Sequence, residues 1–519
     1  MEYFVSSEAS IDGNGTVDLP FRRIADAAAY AMPGDIVTIM PGIYREYIDP
    51  PRGGREDARI IYRAAIPGTV TVSGAESAKG WQRYDGTIFS LEVSNSLFGS
   101  YNPFAEAIYG DWLTGWKGEH GYHAGGVYLN GKAMYEAGSL EELSSNEPSP
   151  HAWDREAALY RWYAEVHDDA TVIYADFRSA DPNSSNVEIS VRRRCFFPSK
   201  TGIGYITLSG LGFTKAATTW APPTAFQDGM VGPHWSKGWI IENCEISYSR
   251  CSGISLGKYL QENNENKWTR FLIKDGTQTE REAVCQAYLE GWRKELVGSH
   301  IVRNCRIHDC GQTGIVGHMG GAFSLIENNE IWNINTMGEL HGAEIAGIKL
   351  HAAIDTVIRS NRIHHCFRGL WLDWQAQGTR VTGNLFYCNG LPEDVAARYP
   401  EEDPSEDLFI EVSHGPTTVD SNIMLSPFPF KIAAQGIAVI NNLIAGPFTW
   451  VGTGTNNGGT ANPRYTPYHL PHDTAIMGFM TFPHGDDRFY GNIFIPSEGY
   501  RERKEKLGLA DGTIPFNDY

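Results

Sequence analysis

The chain lacks the features that carry a protein into or across a membrane. Its first residues, MEYFVSSEASIDG, contain neither the basic stretch nor the apolar stretch of a secretion signal. No run reaches the roughly 18 apolar residues of a membrane-spanning helix. We therefore expect a cytoplasmic protein with no membrane partner.

Positive charge is also scarce. The sequence has 43 Lys and Arg residues against 62 Asp and Glu residues, which gives a formal net charge of −19 over 519 residues. Such an excess of negative charge disfavours contact with nucleic acid or with anionic lipid surfaces. We expect nucleic acid to be absent from the partners of this protein.

Cysteines are few and irregularly placed. There are 8, and no two are spaced as a Cys-x-x-Cys pair, the spacing that marks many zinc and redox sites. We expect reduced thiols and no metal or other cofactor. Those that follow turn-like segments are interpreted as core residues: Cys251, Cys310, Cys366 and Cys388.

A short repeat dominates the second half of the chain. Each copy has Asn or Cys followed two residues later by an apolar residue, and copies recur at roughly 20–40 residue intervals, as in solenoids. The units are too short for strand–helix–strand crossovers, so the repeat predicts an all-β right-handed parallel β-helix. The Asn should bond the backbone of the next coil. The copies are 242–246, 303–307, 327–331, 359–363, 382–386, 420–424, 440–444 and 490–494.

A second pattern alternates with it. Five segments have a small residue, then apolar and variable residues in alternation, which places every second side chain on the same face of a strand. The segments are 252–257, 313–318, 346–351, 368–373 and 406–411, and their last residues are Gly257, His318, His351, Asp373 and Glu411. If the segments stack, these last residues form one column, which we expect on an exposed surface.

The repeat is interrupted twice. Strongly alternating segments with longer polar loops at 75–195 predict an inserted β-sandwich. The segment 277–296 predicts a helix with a capping box. Its buried stripe is predicted to be Tyr288, Leu289, Trp292 and Leu296. The remaining divisions are a cap helix with the first coils (1–74), the main β-helix (196–500) and a tail (501–519).

The column offers a pair of carboxylates. Stacked strands lie about 4.8 Å apart, so Asp373 and Glu411 should be separated by about 5 Å, the spacing of glycosidases that retain anomeric configuration. Lys349 and His351 favour the anion of Asp373, whereas Glu411 is followed in the column by Ala433. We predict Asp373 as nucleophile and Glu411 as general acid and base.

Other residues suit a sugar substrate. Aromatic faces beside carboxylates match the apolar faces of a sugar ring, and polar groups flanking the column would bond its hydroxyls. The candidates are Trp112, His318, Glu344, Lys349, His351, Trp371, Trp374 and His414. Each residue alone would more often be structural, and only their coincidence favours a site. A metal site formed by His318, His351 and Asp373 is the less favoured alternative.

At these residues the sequence resembles the β-xylosidases of glycoside hydrolase family 120, over nearly the whole chain. The segments that carry the resemblance are EIAGIKLHAAID (344–355), GLWLDWQAQGTR (369–380), EVSHGP (411–416), WAPPT (220–224), HWSKGWIIE (234–242) and YHLPH (468–472). The resemblance implies an immunoglobulin-like inserted domain, a homo-oligomer (tetramer or dimer) and retaining, exo-acting release of xylose from the non-reducing ends of xylo-oligosaccharides. It places the family's nucleophile at Asp373 and its acid/base at Glu411.

Two other functions remain open from the residues themselves. Polysaccharide lyases also use β-helices, but those that act on uronates need Lys, Arg or Ca²⁺ against the substrate carboxylate, and the column offers only Lys349. A non-catalytic glycan-binding β-helix would not need two carboxylates. Unsaturated, ultraviolet-absorbing products would indicate the lyase, and an absence of any turnover would indicate the binding protein.

Overall fold

The structure is a computed structural model. It describes residues 1–10, 13–116, 119–261, 269, 276–399, 405–451, 465–481, 485–495 and 513–516. The predicted tail, 501–519, therefore lies outside the described residues except for the strand Thr513–Phe516. Among the helices of these ranges, none is both long enough and apolar enough to cross a membrane.

The main body is a stack of coils, most of which contribute one short strand to each of three sheets. In the first sheet the strands are Glu2–Val5, Ile36–Ile39, Ile60–Ala64, Ile206–Ser209, Ile240–Glu242, Ile301–Arg303, Leu325–Glu327, Val357–Arg359, Thr379–Thr382, Thr417–Asp420, Ile437–Ile440 and Arg488–Tyr490. In the second they are Gly42–Tyr44, Val70–Ser73, Gly212–Thr214, Glu245–Ser247, Arg306–His308, Glu330–Trp332, Arg362–His364, Leu385–Tyr387, Ile423–Met424, Leu443–Ala445 and Ile493–Ile495.

The third sheet is shorter and carries the site. Its strands are Ser252–Ser255, Thr313–His318, Ala346–His351, Leu370–Asp373, Leu408–Glu411, Phe430–Ala433, Phe448–Val451 and, antiparallel to the last, Thr513–Phe516. In earlier coils single parallel bridges take the place of strands, through Ile48, Phe196, Val231 and Ile254. The predicted parallel β-helix is confirmed.

Period-two alternation builds the core. Ile348, Leu370 and Leu408 pair in register on neighbouring coils, and each is fully buried. Similar apolar columns from the other two sheets meet them inside the coil. Burial of apolar surface stabilises such a stack by about 25 cal/mol per Å², so each coil is held mainly by its neighbours.

One turn of six consecutive coils carries the predicted asparagine, and we call this column the asparagine ladder. In a representative coil, Asn384 Nδ2 donates to Ile358 O at 2.9 Å and to Asn422 Oδ1 at 3.0 Å, while Asn384 Oδ1 accepts from the amide N of Asn361 at 2.9 Å. The predicted bond to the neighbouring backbone is confirmed. The ladder consists of Asn329, Asn361, Asn384, Asn422, Asn442 and Asn492.

Cys244 and Cys305 begin the same column, and all 8 cysteines are free thiols. Cys251, Cys310 and Cys366 are buried as predicted, but Cys388 is exposed and that prediction is wrong. Cys388 comes directly after a strand and has a left-handed φ of 54°, whereas the core position one residue later is filled by Asn389. A shift of one residue is enough to turn its side chain outward.

The inserted domain is a sandwich of two sheets. Its strands are Ala75–Ser77, Gln82–Asp85, Ile88–Ser94, Val127–Leu129, Lys132–Ala133, Tyr135–Glu136, Arg161–Val166, Ala170–Asp176 and Val187–Ser190, with a helix at Leu140–Ser144 and 3₁₀ turns at Asn95–Phe98 and Ala157–Leu159. Aromatic rings fill the core, for example Phe104 edge-on to Trp162 at 5.4 Å. Its first and last strands pair with each other, so the domain leaves and rejoins the β-helix at one place.

The helices cover parts of the coil stack. Ile24–Tyr30 buries Ile24, Ala27 and Ala28 near the first strands, as expected of a cap. A short helix spans Glu393–Arg398, and a hairpin is formed by Tyr465–His469 and Ile476–Thr481.

The inserted helix spans Gly276–Glu290 and ends earlier than predicted. Its predicted buried stripe is wrong, because Tyr288, Leu289 and Leu296 are exposed and only Trp292 is buried. Small residues face inward instead and let the helix approach the coils closely, namely Thr279, Ala283, Val284 and Ala287, together with the carboxylate of Glu280.

Long insertions fall at the two ends of the third-sheet position. We call the segment before that position the leading turn and the segment after it the trailing turn. The inserted domain and the segments 215–230, 333–345 and 388–407 are leading turns, and 256–300 is a trailing turn. The described parts of these segments form the walls around one face of the third sheet.

Candidate active site

The column has the predicted register. His318 pairs with His351, and His351 pairs with Asp373. The next strand continues the same register, with Leu372 opposite Ile410, so Glu411 follows beside Asp373 and is itself paired with Ala433. Two histidines and two carboxylates therefore occupy equivalent positions on four consecutive coils.

The expectation that this column lies on an exposed surface is wrong. Asp373 and Glu411 are only 4% and 3% exposed, and the two histidines are buried as well. The reason is that the walls close over the sheet. Glu280 of the inserted helix contacts His351, and Pro223 of a leading turn contacts His318. The side chains form the floor of a recess instead of a surface patch.

Asp373 is held by two cations and a backbone amide. Lys349 Nζ lies 2.7 Å from Asp373 Oδ2, and His351 Nε2 lies 3.5 Å from the same oxygen. The amide N of Trp374 donates to the other carboxylate oxygen at 2.9 Å. Charge-assisted hydrogen bonds of this kind fix the orientation of the carboxylate, as a nucleophile requires.

Glu344 shares the same two cations. Its carboxylate lies 3.2 Å from Lys349 Nζ and 3.2 Å from His351 Nε2. Burial opposes ionisation of Glu344, but Lys349 and His351 outweigh it and hold the pKa of Glu344 below its usual value. The structure thus brings together four of the predicted residues, Glu344, Lys349, His351 and Asp373.

Glu280 also belongs to the cluster, whereas the sequence argument placed it only in the capping box of the inserted helix. Its Oε1 lies 3.2 Å from His351 Nδ1. Burial alone would lower the pKa of His351, but the charges of Asp373, Glu344 and Glu280 raise it to about 10. Burial raises the pKa of Glu280, although His351 opposes this. The sequence signal that could have identified Glu280 as a site residue was its position, as an acidic residue, on the apolar face of the inserted helix.

His318 contacts the other side of Glu280. Its Nδ1 lies 3.0 Å from the carbonyl of Pro223, so Nδ1 is the donor, while its buried Nε2 has no hydrogen-bond partner among the described residues and lies 3.7 Å from Glu280 Oε1. Burial and the positive charges of His351 and Lys258 hold the pKa of His318 well below its usual value. A neutral ring therefore presents an acceptor in the recess.

The predicted aromatic residues separate into two groups. Trp371 stacks against Phe409 at 5.2 Å between ring centroids, and Lys349 Nζ lies 2.9 Å from the centroid of the Trp371 ring. The indole nitrogen of Trp371 is buried and has no hydrogen-bond partner in the part of the chain that the structure describes. Trp374 instead packs with Val412 after the strand has ended, so it does not extend the same aromatic face.

Trp112 and His414 lie at the edges. Trp112 is half-buried, its carbonyl accepts from the amide N of Ala343, and its ring packs so closely on Gly276 that a Cβ there would lie 2.5 Å from the indole. The ring nitrogens of His414 lie 3.3 Å from Thr466 O and 3.3 Å from Gln435 Nε2. Trp112 therefore reaches the wall beside the inserted helix, while His414 is turned toward the hairpin.

The geometry also bears on metal binding. Glu344, His351 and Asp373 offer ligand atoms within 4.8 Å of one another, the one such group found in the described ranges. However, Lys349 already places a positive charge between the two carboxylates, and both nitrogens of His351 face carboxylates. An imidazole must give up a proton to bind a metal ion, so this trio fits an ion-pair network better.

Comparisons with known proteins agree with this architecture. The family model described as "Glycoside hydrolase 120, insertion domain" matches residues 78–189, and that described as "Right handed beta helix region" matches residues 234–422. The expected handedness and the inserted domain are thereby confirmed. No curated protein matches the chain.

Two solved structures are similar over nearly the whole chain. The complex of XylC with xylose is 46% identical, covers 96% of this chain and 76% of its own, and has a TM-score of 0.88. A second structure, described as a glycoside hydrolase, is 12% identical, covers 98% of this chain and 99% of its own, and has a TM-score of 0.59, which shows the fold alone. On the first of these similarities and the insertion-domain match, the chain belongs to glycoside hydrolase family 120 and is a glycoside hydrolase.

Proposed function

We propose that this protein is an exo-acting β-xylosidase that retains anomeric configuration and releases xylose from the non-reducing ends of xylo-oligosaccharides. Asp373 is the nucleophile and Glu411 is the acid/base in this proposal. The similarity to XylC, whose structure holds xylose, supports the choice of sugar.

The observation that carries the proposal is the strand register. Asp373 and Glu411 occupy equivalent positions on strands that are hydrogen-bonded neighbours, and such neighbours lie about 4.8 Å apart. Retaining glycosidases need their carboxyl groups about 5–5.5 Å apart, whereas inverting enzymes need about 6.5–9.5 Å to admit a water molecule. Direct stacking therefore supports the retaining mechanism.

The reaction proceeds in two steps. The Asp373 carboxylate, paired with Lys349, attacks the anomeric carbon while Glu411 gives its proton to the departing glycosidic oxygen. This breaks the glycosidic bond and forms a xylosyl ester on Asp373. Glu411 then takes a proton from water, which displaces Asp373 and frees β-xylose. Two inversions at one carbon give net retention.

The walls support the exo-acting part of the proposal. The inserted helix lies over one side of the column through Glu280, and Pro223 of a leading turn lies over another. Trp112 packs against the start of that helix. A recess closed on these sides suits the end of a chain, whereas an open groove would be needed to cut within one.

A proton NMR time course of the hydrolysis of an aryl β-xyloside tests the proposal directly, because all the xylose released then comes from the sugar that the enzyme attacks. Retention predicts that the anomeric signal of β-xylose appears first and that α-xylose follows by mutarotation. Early α-xylose would contradict the retaining mechanism, and intermediate-length products from xylohexaose would contradict exo action. Unsaturated products that absorb ultraviolet light would indicate a lyase.

A further inference from the structure

Glu280 is the one carboxylate of the cluster that comes from the inserted helix. We propose that Glu280 is a positioning residue: it holds the imidazole of His351 so that Nε2 donates toward Asp373 and Glu344. This inference rests on the proposed function, because it needs Asp373 to be the nucleophile.

The first support is the direction of the ring. His351 Nδ1 faces Glu280 Oε1 at 3.2 Å, and Nε2 faces Glu344 at 3.2 Å and Asp373 at 3.5 Å. Carboxylate oxygens lie at both ends of the imidazole, so a hydrogen bond at each end requires a proton on each nitrogen or, at the Glu280 end, a proton on the carboxyl group. Whichever of Glu280 and His351 holds the proton between them, Nε2 keeps its own proton for Asp373 and Glu344.

The second support is how the partners are shared. Lys349 Nζ contacts both Asp373 and Glu344, so it competes with His351 for these two carboxylates. Glu280 has no such contact with Lys349 among the described ion pairs and faces the two histidines instead. It is therefore the carboxylate that His351 need not share with the lysine.

The third support is burial. Glu280 is 1% exposed and lies on the packed face of its helix with Ala283, Val284 and Ala287. A buried carboxylate is unfavourable unless it is paired and hydrogen-bonded. Packing of the helix fixes its position, and little water can replace it if it is removed.

Charged and titratable groups from several elements surround Glu280 and His351 in the described part of the chain. His351 faces Glu280 from the helix, Glu344 from a leading turn and Asp373 from the next coil. On the preceding coil the His318 ring lies 5.4 Å away, and Lys349 is on its own strand. Buried Lys258 also acts on Glu280, and burial lowers the pKa of Lys258 to about 7.

The consequence is a pH dependence. With three carboxylates around it, His351 has a pKa of about 10 and stays charged beside Asp373 through the neutral range. The variant E280Q keeps the shape of the side chain and removes its charge, so the pKa of His351 should fall. Since one pKa unit is a tenfold change in the protonation equilibrium, we expect a fall of about one unit or more.

The test measures how fast Asp373 is trapped by a 2-deoxy-2-fluoro-β-xyloside with a dinitrophenolate leaving group. That leaving group does not need the proton of Glu411, so the alkaline limb of the trapping rate reports the groups around Asp373. The trapping rate of wild type should stay constant up to about pH 9, and the trapping rate of E280Q should begin to fall about one pH unit lower. E282Q, which removes the same charge from the same helix, should behave as wild type.

The outcomes separate the two proposals. If mass spectrometry finds no label on Asp373 in wild type, the proposed function is wrong. If Asp373 is labelled and the alkaline limbs of the trapping-rate profiles of E280Q and wild type coincide, only the proposed role of Glu280 is wrong. Should E280Q fail to fold, E280D keeps the charge and should keep the wild-type limb at a lower rate; a shifted limb in folded E280D overturns the proposal.

A double variant adds a readout that packing alone would not give. Because Glu280 acts through His351, E280Q should slow trapping no further once H351Q is present. Independent effects would multiply instead, as expected for side chains that are not coupled. Multiplicative losses would overturn the positioning role.

Discussion

Two columns of buried polar side chains run through the same coils, and they are satisfied in different ways. In the asparagine ladder each amide is bonded within the stack, as Asn361 is to Asn384 and to Ile326 O at 3.0 Å. In the column from His318 to Glu411 several partners come from outside the coils, through Glu280, Pro223 and Glu344. The asparagine ladder thus makes its hydrogen bonds within the coil stack, whereas the column from His318 to Glu411 makes some of its contacts to the walls.

The difference separates stability from chemistry. A neutral amide with all its bonds made adds to the stability of the stack. Around the charged column, two buried atoms have no hydrogen-bond partner among the described residues, His318 Nε2 and Trp371 Nε1. Such atoms are uncommon in folded proteins, and here they lie on the same sheet face as the two carboxylates, where a bound molecule could supply the missing bonds.

The largest expected effect is the loss of the proposed nucleophile. Asp373→Ala should lower kcat by about 10⁴-fold or more, because no other group can form the covalent intermediate. Hydrolysis of an aryl β-xyloside measures it, with circular dichroism to show that the variant folds. Residual turnover within about tenfold of wild type would contradict the assigned role.

The acid/base should be easier to replace. Glu411→Ala should lose about 10²–10⁴-fold on xylobiose and less on aryl xylosides whose leaving groups need no proton. Azide should restore activity by attacking the ester on Asp373, and NMR should identify the product as the β-xylosyl azide. An α-azide product would show that Glu411 has another role.

The ladder should respond in stability and not in chemistry. Asn361→Ala leaves Ile326 O and the amide N of Asn329 without their partner. We expect the free energy of unfolding to fall by about 2–4 kcal/mol, measured by denaturant unfolding. Asn361 lies on the same coil as Asp373 but at a different turn, so kcat of the folded variant should stay near the wild-type value. A large loss of kcat would contradict the separation of stability and catalysis between the two columns.

The smallest effect is expected at His318, whose ring Nε2 has no hydrogen-bond partner among the described residues. His318→Phe keeps a ring but removes the acceptor Nε2, and an unmade hydrogen bond to substrate should raise KM about tenfold. Steady-state kinetics on xylobiose measure the change, with kcat expected to move less than KM. An unchanged KM would place Nε2 away from the bound sugar.

The register and the ladder could be predicted because both depend on local rules. Alternation fixes which residues share a face, and a left-handed residue before each ladder asparagine, such as Asn328 with φ 54°, sets the turn in every coil. Cys388 shows the limit, since one residue of displacement in a turn moved it from the core to solvent.

The walls could not be predicted in the same way. They lie in insertions that do not repeat, and their positions depend on tertiary packing. The helix was predicted to continue to residue 296, but it ends at Glu290 and Gly291 follows with φ 117°, so Leu296 is not on the helical face. The place of Glu280 in the site was not predicted for the same reason, because only the packing of the helix brings its carboxylate to His351.

The placement of the long insertions has a consequence for how such a protein can change. A coil needs only its inward apolar residues and its turn amide to sit on the next, so stacking is indifferent to the length of chain between the second and third sheets. The leading turns range from 446–447 to the whole of 74–195. Substrate range can therefore drift through gain and loss of loops, while the acids on the strands stay where they are.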